Sequence, residues 1–408
     1  MERSVPEVLA GTQEVSFRDL VPEIPSTTYA SHGMYYYPAR FIPQVVRYVI
    51  ERYTEEGDWI IDPFGGSGTV AIEALITRRN ATLLDLNPMV NKLVEAKTVR
   101  KVDWDNLKGH ADSVLGNNNP FTPTWTRIRY WHPPQFFEAL SRMWGGYVKN
   151  PHPLTLIALL RTTKKFSYAD DTVPKLFKSK HKIREIESLK RDGPDKIRRF
   201  FLAETGKAYL RSVQFQGQFH GGELRVEGGI DLPSYLQEER LQGRFKVLVT
   251  SPPYGQAHEY IRSLKLELAW LGYTDKEITR LTNLEIPYNT PPQIQINSDT
   301  YNRYRSLLSA SKVIDYYDTY FKSVLFCLSR VGKHIVRGGH ACIFVGNATF
   351  SGITIPFERI FTEHLTRGGF EIEATLIDKI KGRRLFGRRK NPSPEGIPSE
   401  SLLILRRT

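Results

Sequence analysis

A chain of 408 residues carries 57 Lys and Arg against 44 Asp and Glu, a formal net charge of +13, with 40% hydrophobic and 25% charged residues. That is the balance of a soluble globular protein, long enough for one large α/β domain plus a second module. No apolar run reaches the ~18 residues of a membrane span, and MERSVPEVLAGTQEVSFRDL lacks the apolar segment of a signal peptide, so a cytoplasmic location is expected.

In chain order, residues 1–30 read as an irregular arm. FIPQVVRYVIERYTEE reads as a helix and DWIID as a short strand, followed by the Gly-rich turn FGGSG. TVAIEALITRR is a helix, ATLLDL a strand ending at Asp85, and NPMVNKLVEAKTVRK a further helix. Strand, turn, helix, strand and acid open a doubly wound parallel sheet. From about 100 to 220 this rhythm breaks into helical stretches such as HPPQFFEALSRMWGGYV, PLTLIALLRTTKKF and DKIRRFFLAETGKAYLRSV. Sheet pattern returns at ELRVEGG and FKVLVTSPPY. EYIRSLKLELAWLGY is expected to be one helix, 283–303 a surface loop, and 311–331 a long helix. GGHACIFVGN is a buried strand, ITIPFERIFTEHLTRGG a helix, and FEIEATLIDKI and ESLLILRRT are the closing strands. The two cysteines, Cys327 and Cys342, lie in apolar runs and read as buried thiols; with no CxxC pair, no metal is expected.

Two constellations carry chemistry. In DPFGGSGTVAIEA, Asp62 ends a strand, and Gly65, Gly66 and Gly68 let the backbone turn tightly toward a ligand at a helix N-terminus. Asp85, about 20 residues on, suits a pair of ribose hydroxyls. A phosphate-binding loop would carry Lys after the glycines; none follows, and a carboxylate at Asp62 fits a cationic ligand such as a sulfonium or an ammonium. The second constellation, TSPPY, follows the apolar strand FKVLV at the carboxyl edge of the sheet. The Ser251 hydroxyl and a carbonyl of Pro252 or Pro253 can accept hydrogen bonds from an –NH2 group, and Tyr254 can stack on a base withdrawn from its helix.

Together these segments resemble the amino-methylating DNA methyltransferases of bacteria and archaea, of the SPPY type. DPFGGSGT is similar to their S-adenosyl-L-methionine (AdoMet) motif, LLDLNP to their ribose motif, TSPPY to their catalytic motif, and HGMYYYPARFIPQ to the segment before the first. The resemblance implies a doubly wound, mostly parallel Rossmann-like α/β sheet with an inserted basic helical module. It implies an AdoMet pocket of Tyr37, Pro38, Ala39, Phe41, Asp62, Phe64, Gly65, Gly66, Gly68, Thr69, Asp85 and Asn87, and a base site of Ser251, Pro252, Pro253 and Tyr254. Ser at the head of the tetrapeptide is usual for cytosine N4, and Asp or Asn for adenine N6. Cytosine C5 chemistry is excluded, because neither cysteine has the context of a nucleophile. One departure stands in VEGGIDLPSYL: the family commonly has an acid where Gly229 stands, and here Asp231 follows two residues on.

Residues 161–212 hold 15 Lys or Arg and 7 Asp or Glu, a net of +8. Lys164, Lys165, Lys175, Lys178, Lys180, Lys182 and Arg184, interleaved with Phe166, Tyr168 and Phe177, are expected to meet phosphates and stack on bases, unless they form only a solvated helical face. KIKGRRLFGRRK adds seven basic residues, among them Arg383, Arg384, Arg388 and Arg389, on a hairpin able to grip DNA. His258 reads as a polar helix cap or a neighbour of the base. The expected organisation is an arm (1–30), an AdoMet half (31–100), a basic module that selects the target (101–220) and a catalytic half (221–408). The expected partner is duplex DNA with a flipped base, in a restriction-modification setting whose endonuclease is a separate chain. Adenine N6, an RNA cytidine and a non-catalytic DNA-binding regulator remain as alternatives.

Overall fold

Short runs rich in Val, Ile and Leu build one eight-stranded sheet in the computed structural model, which describes residues 11–38, 41–171, 176–191, 195–255, 260–379 and 399–408. The strands are β1 (Gly11–Val15), β2 (Trp59–Asp62), β3 (Asn80–Asp85), β4 (Leu224–Gly228), β5 (Phe245–Thr250), β6 (Ile335–Gly346), β7 (Ala348–Phe350), β8 (Ile353–Ile355), β9 (Phe370–Lys379) and β10 (Ser399–Arg407). Their order across the main sheet is β1-β9-β10-β6-β5-β2-β3-β4, with β7 and β8 forming a separate hairpin. All neighbours are parallel except β10, which runs antiparallel to both β6 and β9. Central strands such as β5 are buried on both faces, as continuous apolar runs require when helices cover both sides. The fold is thus a doubly wound, mostly parallel α/β sheet, as expected.

The topology positions the site. From β2 the chain winds outward through β3 to β4, then returns to place β5 on the other side of β2. The carboxyl ends of β2 and β5 therefore flank the switch point, where open sheets of this kind form a ligand crevice. Helices Pro43–Tyr53 and Thr69–Ile76 cover one face, and Ser311–Gly332 and Phe357–Thr366 the other.

The intervening helices, including Trp104–Gly116, Pro134–Lys149, Pro153–Lys165, Lys180–Arg191 and Asp195–Gln216, do not keep a core to themselves. Their apolar faces share one cluster with Met89, Leu93 and Ala96 of helix Met89–Lys97 and with Trp270, far along the chain. Trp270 stacks on Trp144 at 5.7 Å, and its indole N–H donates to His132 Nε2 at 3.1 Å. Burial pushes His132 down to about 4, so it stays the neutral acceptor. Gly145 explains the GG in this region: a Cβ there would lie 1.8 Å from the Asn119 carbonyl oxygen.

Four expectations need correction. The described part of the arm is not irregular: Gly11–Val15 pairs in parallel with β9, and Phe17, Val21 and Ile24 bury their side chains in the core. EYIRSLKLELAWLGY is two short helices, Tyr260–Ser263 and Lys265–Trp270, broken at Leu264 (φ −111°, ψ 14°). The loop 283–303 ends in helix Asp299–Ser306, capped by Ser298 and held by the Glu363 carboxylate, which accepts from Ser298 and Thr300. In ITIPFERIF only Phe357 onward is helical; Ile353–Ile355 pairs with β7 and Pro356 marks the start. Both cysteines are buried and unbonded, as expected.

Candidate functional site

Asp62 is the last residue of β2 and only 2% exposed. Its Oδ1 accepts from the Thr250 hydroxyl at 2.6 Å and from the Phe64 N–H at 3.1 Å. Thr250 is the last residue of β5, so one hydrogen bond joins the two strand ends at the switch point. Burial outweighs these bonds and pushes the Asp62 carboxyl up to about 7.

The turn after Asp62 is shaped by sterics. Gly68 caps helix Thr69–Ile76 in the left-handed region (φ +78°), and a Cβ there would approach Val94 Cγ2 to 2.6 Å. Beneath the turn, the buried Lys97 ammonium donates to the Ser67 carbonyl at 2.6 Å. Above it, Asp85 accepts two backbone N–H groups at 2.7 Å, Gly66 on Oδ2 and Asn87 on Oδ1. Burial lifts Asp85 to about 6 despite both bonds. Among the described residues no Lys or Arg pairs with either carboxylate. Asn87 is 1% exposed; its Oδ1 accepts from Met89 N–H, while its Nδ2 has no acceptor among the described residues.

A cleft of about 880 Å³, counting its space open to solvent, runs over this surface. Nine expected cofactor residues line it: Tyr37, Phe41, Asp62, Phe64, Gly65, Gly66, Thr69, Asp85 and Asn87. Gly68 and Pro38 lie behind the wall, and Ala39 falls outside the described residues. Tyr37 is kept in place because the segment before it is locked to helix Thr69–Ile76. Fully buried Glu73 accepts from His32 Nε2 at 2.7 Å, from Arg47 Nε at 2.9 Å and from the Tyr29 hydroxyl. Burial alone would raise Glu73; His32 and Arg47 outweigh it and hold the carboxyl below its ordinary range.

The tetrapeptide meets the same cleft from the β5 side. Ser251 and Pro253 line it; Pro252 and Tyr254 do not. The Pro253 carbonyl accepts from the Tyr320 hydroxyl at 2.7 Å. The Tyr254 hydroxyl donates to Glu400 Oε1 of β10 at 2.6 Å. Tyr260 takes a wall position instead, its ring 6.3 Å from Tyr37 and nearly parallel.

Several wall residues had no signal in the motifs. Asp231, Leu232 and Pro233 arrive because Gly229 turns with φ +86° and, with Ile230, donates its N–H to the Asp85 carbonyl. The acid thus reaches the cleft two residues later than the family pattern suggests. Leu284, Glu285 and Ile286 close the far side, with Glu285 Oε1 accepting from the Ile261 N–H at 3.0 Å.

The basic residues divide. Lys182 is 1% exposed and paired with Asp171 at 2.8 Å and Glu185 at 3.1 Å, which leaves it no route to a phosphate. Lys164 bonds buried Glu267 and Lys165 bonds Glu185. Lys178 donates to the Tyr130 carbonyl and lies 3.3 Å from the Tyr130 ring centroid and 4.4 Å from that of Tyr168. Lys180 and Arg184 remain exposed on successive turns of helix Lys180–Arg191. Lys175, His258, Arg383, Arg384, Arg388 and Arg389 fall outside the described residues. Among the described residues no group of acidic, His or Cys side chains could hold a metal ion, and no helix is long and apolar enough to cross a membrane.

Residues 12–95, which include the Gly turn and Asp85, match a family model described as DNA methylase. The type II methyltransferase M.MjaII of Methanocaldococcus jannaschii is 35% identical over 104 residues, 26% of this chain and 19% of that protein. M.MvaI of Kocuria varians is 21% identical across 93% of this chain and 92% of its own. M.BsoBI of Geobacillus stearothermophilus is 23% identical across 66% and 58%. Both are type II methyltransferases. The chain therefore spans less than a fifth of the first relative and nearly all of the second. Among solved structures, the rRNA methyltransferase aviRa from Streptomyces viridochromogenes aligns over 91% of this chain and 88% of its own at 10% identity, with a TM-score of 0.32, too slight a likeness to carry an argument.

Proposed function

We propose, with the similarity to amino-methylating DNA methyltransferases as premise, that this chain methylates the N4 amine of cytosine in duplex DNA, flipping the base out to do so, as the modification half of a restriction-modification pair. Methyltransferases of this family use AdoMet, whose sulfonium supplies an electrophilic methyl group when bound. The cleft suits that molecule: two raised carboxylates without a cation, an Asn87 amide without an acceptor, and a glycine cradle that a Cβ would fill. Asp62 would face the cationic methionine end with Tyr37 and Phe41, Asp85 the ribose hydroxyls, and Asp231, Leu232 and Pro233 the adenine ring.

The observation that carries the reading is the Thr250–Asp62 hydrogen bond. It joins the residue before the tetrapeptide to the residue before the Gly turn, so the two halves of the chemistry share one cleft. Ser251 Oγ and a proline carbonyl of the tetrapeptide would accept the two amine protons, fixing the nitrogen with its lone pair toward the cofactor side. An amine stacked inside a duplex is out of reach of this recessed wall, which is why base flipping belongs to the proposal. Ser rather than Asp or Asn at position 251 favours cytosine. Phosphate contacts fall to Lys180 and Arg184 on the described surface, with the 379–390 segment as a second candidate.

The test is nucleoside mass spectrometry after incubation with labelled AdoMet and mixed-sequence DNA or total RNA. Labelled N4-methylcytosine from DNA is expected. N6-methyladenine would keep the cleft and overturn the Ser251 argument; label in RNA alone would overturn the DNA reading.

A further inference from the structure

The segment 285–298 leaves the cleft wall and crosses the surface without forming part of either motif. Leu284, Glu285 and Ile286 line the cleft, and two residues later Tyr288 is 46% exposed. A lone exposed aromatic needs no explanation in itself; what sets Tyr288 apart is that both its backbone and its ring are held beside the cleft wall. This rim is rigid. The Tyr288 N–H donates to the Glu285 carbonyl at 2.6 Å, and the next residue, Asn289, is buried and donates through Nδ2 to Ser323 Oγ at 3.1 Å. The Tyr288 ring is braced edge-on against Tyr316, centroids 6.1 Å apart, and Tyr316 itself packs on Phe350. Beyond it, Ile294 and Ile296 turn into the core while Gln293 and Gln295 alternate outward.

We propose that Tyr288 is a wedge that enters the DNA stack beside the target base and fills the space the base vacates. The inference rests on the DNA reading above and adds a contact surface beside the wall residues Leu284, Glu285 and Ile286. A flipped base leaves a gap whose neighbours lose stacking on one side; a braced aromatic ring at the mouth of the receiving cleft restores it at little conformational cost. The outward amides of Gln293 and Gln295 follow Tyr288 along the same rim, in reach of base edges flanking the gap.

The test compares two duplexes that carry the target base located by the nucleoside assay. In one the base is paired; in the other it faces an abasic site, so that no pair has to be broken. Full-length Tyr288→Ala and Tyr288→Gln are expected to slow methylation of the paired duplex by about tenfold or more while sparing the abasic one. Tyr288→Phe, which keeps the ring, should match the unaltered protein on both. Unchanged rates on the paired duplex, or equal loss on both duplexes in both ring-less variants, would overturn the wedge while leaving the DNA reading intact. A nucleoside assay without label in DNA would overturn that reading, and the wedge with it.

Discussion

Replacing Asp62 by Asn should make the unliganded protein more stable and a poorer binder of its cofactor. Asp62 is buried and its carboxyl is raised from 3.8 to about 7. At ~1.4 kcal/mol per pKa unit, holding it ionised costs about 4 kcal/mol at pH 8. Asn keeps an acceptor for Thr250 and Phe64 and removes the charge. The sign follows from proton counts. Between 3.8 and about 7 the native state holds a proton on Asp62 that the unfolded chain has released, so native stability falls as pH rises through that window and is level above it. The advantage of Asp62→Asn should therefore approach ~4 kcal/mol at pH 8 and drop below ~2 kcal/mol at pH 5. Paired thermal or urea unfolding curves at the two pH values measure it. AdoMet titrations supply the other half: affinity of the unaltered protein should climb from pH 5 to about 7 and then level, because a cationic ligand favours the ionised carboxylate. In Asp62→Asn the affinity should be weaker, and its rise from pH 5 should shrink to the part that Asp85, raised to about 6, still supplies. A stability gain equal at both pH values, or no gain at pH 8, would refute the account of a carboxylate kept strained for a cation.

Three further outcomes are expected. Gly68→Ala meets both a positive φ and Val94 Cγ2 at 2.6 Å, so it should cost roughly 2–5 kcal/mol in unfolding measurements and weaken AdoMet binding, because the turn must shift. Lys182→Ala should lower stability by about 1–3 kcal/mol without changing the salt dependence of DNA binding, whereas Lys180→Glu with Arg184→Glu should weaken DNA binding at unchanged stability; the reverse pattern in filter-binding and melting data would invert the surface assignment. Tyr254→Ala should reduce turnover by about tenfold or more with AdoMet affinity retained, and Tyr254→Phe, which loses only the bond to Glu400, should fall between it and the unaltered protein in single-turnover rates.

What the sequence made legible was local. The Gly turn, Asp85 and the tetrapeptide each sit at a strand end, where composition and spacing report backbone geometry directly. What stayed hidden depended on partners distant in the chain. Asp231 was obscured because the turn at Gly229 takes its hydrogen-bond acceptor from Asp85, more than a hundred residues earlier. Leu284, Glu285 and Ile286 have no motif of their own and reach the cleft only when helix Asp275–Leu284 packs on Tyr260–Ser263. Charge counting could not separate Lys182, whose carboxylate partners bury it, from Lys180, which has the same chemistry and stays exposed. Nor could the sequence reveal that Tyr254 meets Glu400 across the sheet edge. GTQEV reads as an arm because it lacks an apolar pattern, and the structure shows why: it is an edge strand with four of its five residues facing solvent.

That edge strand bears on how the protein is made. Gly11 is opposite Ala374, so β1 stays without its neighbour until a segment more than 360 residues further along the chain is in place. Its partner in turn cannot settle until β10 has slipped between β9 and β6. This order favours assembly from the central strands outward, with β1 among the last to dock. Until then one margin of the sheet stays open to foreign strands, so slowed release of the C-terminal region should show up as aggregation before it shows up as lost activity.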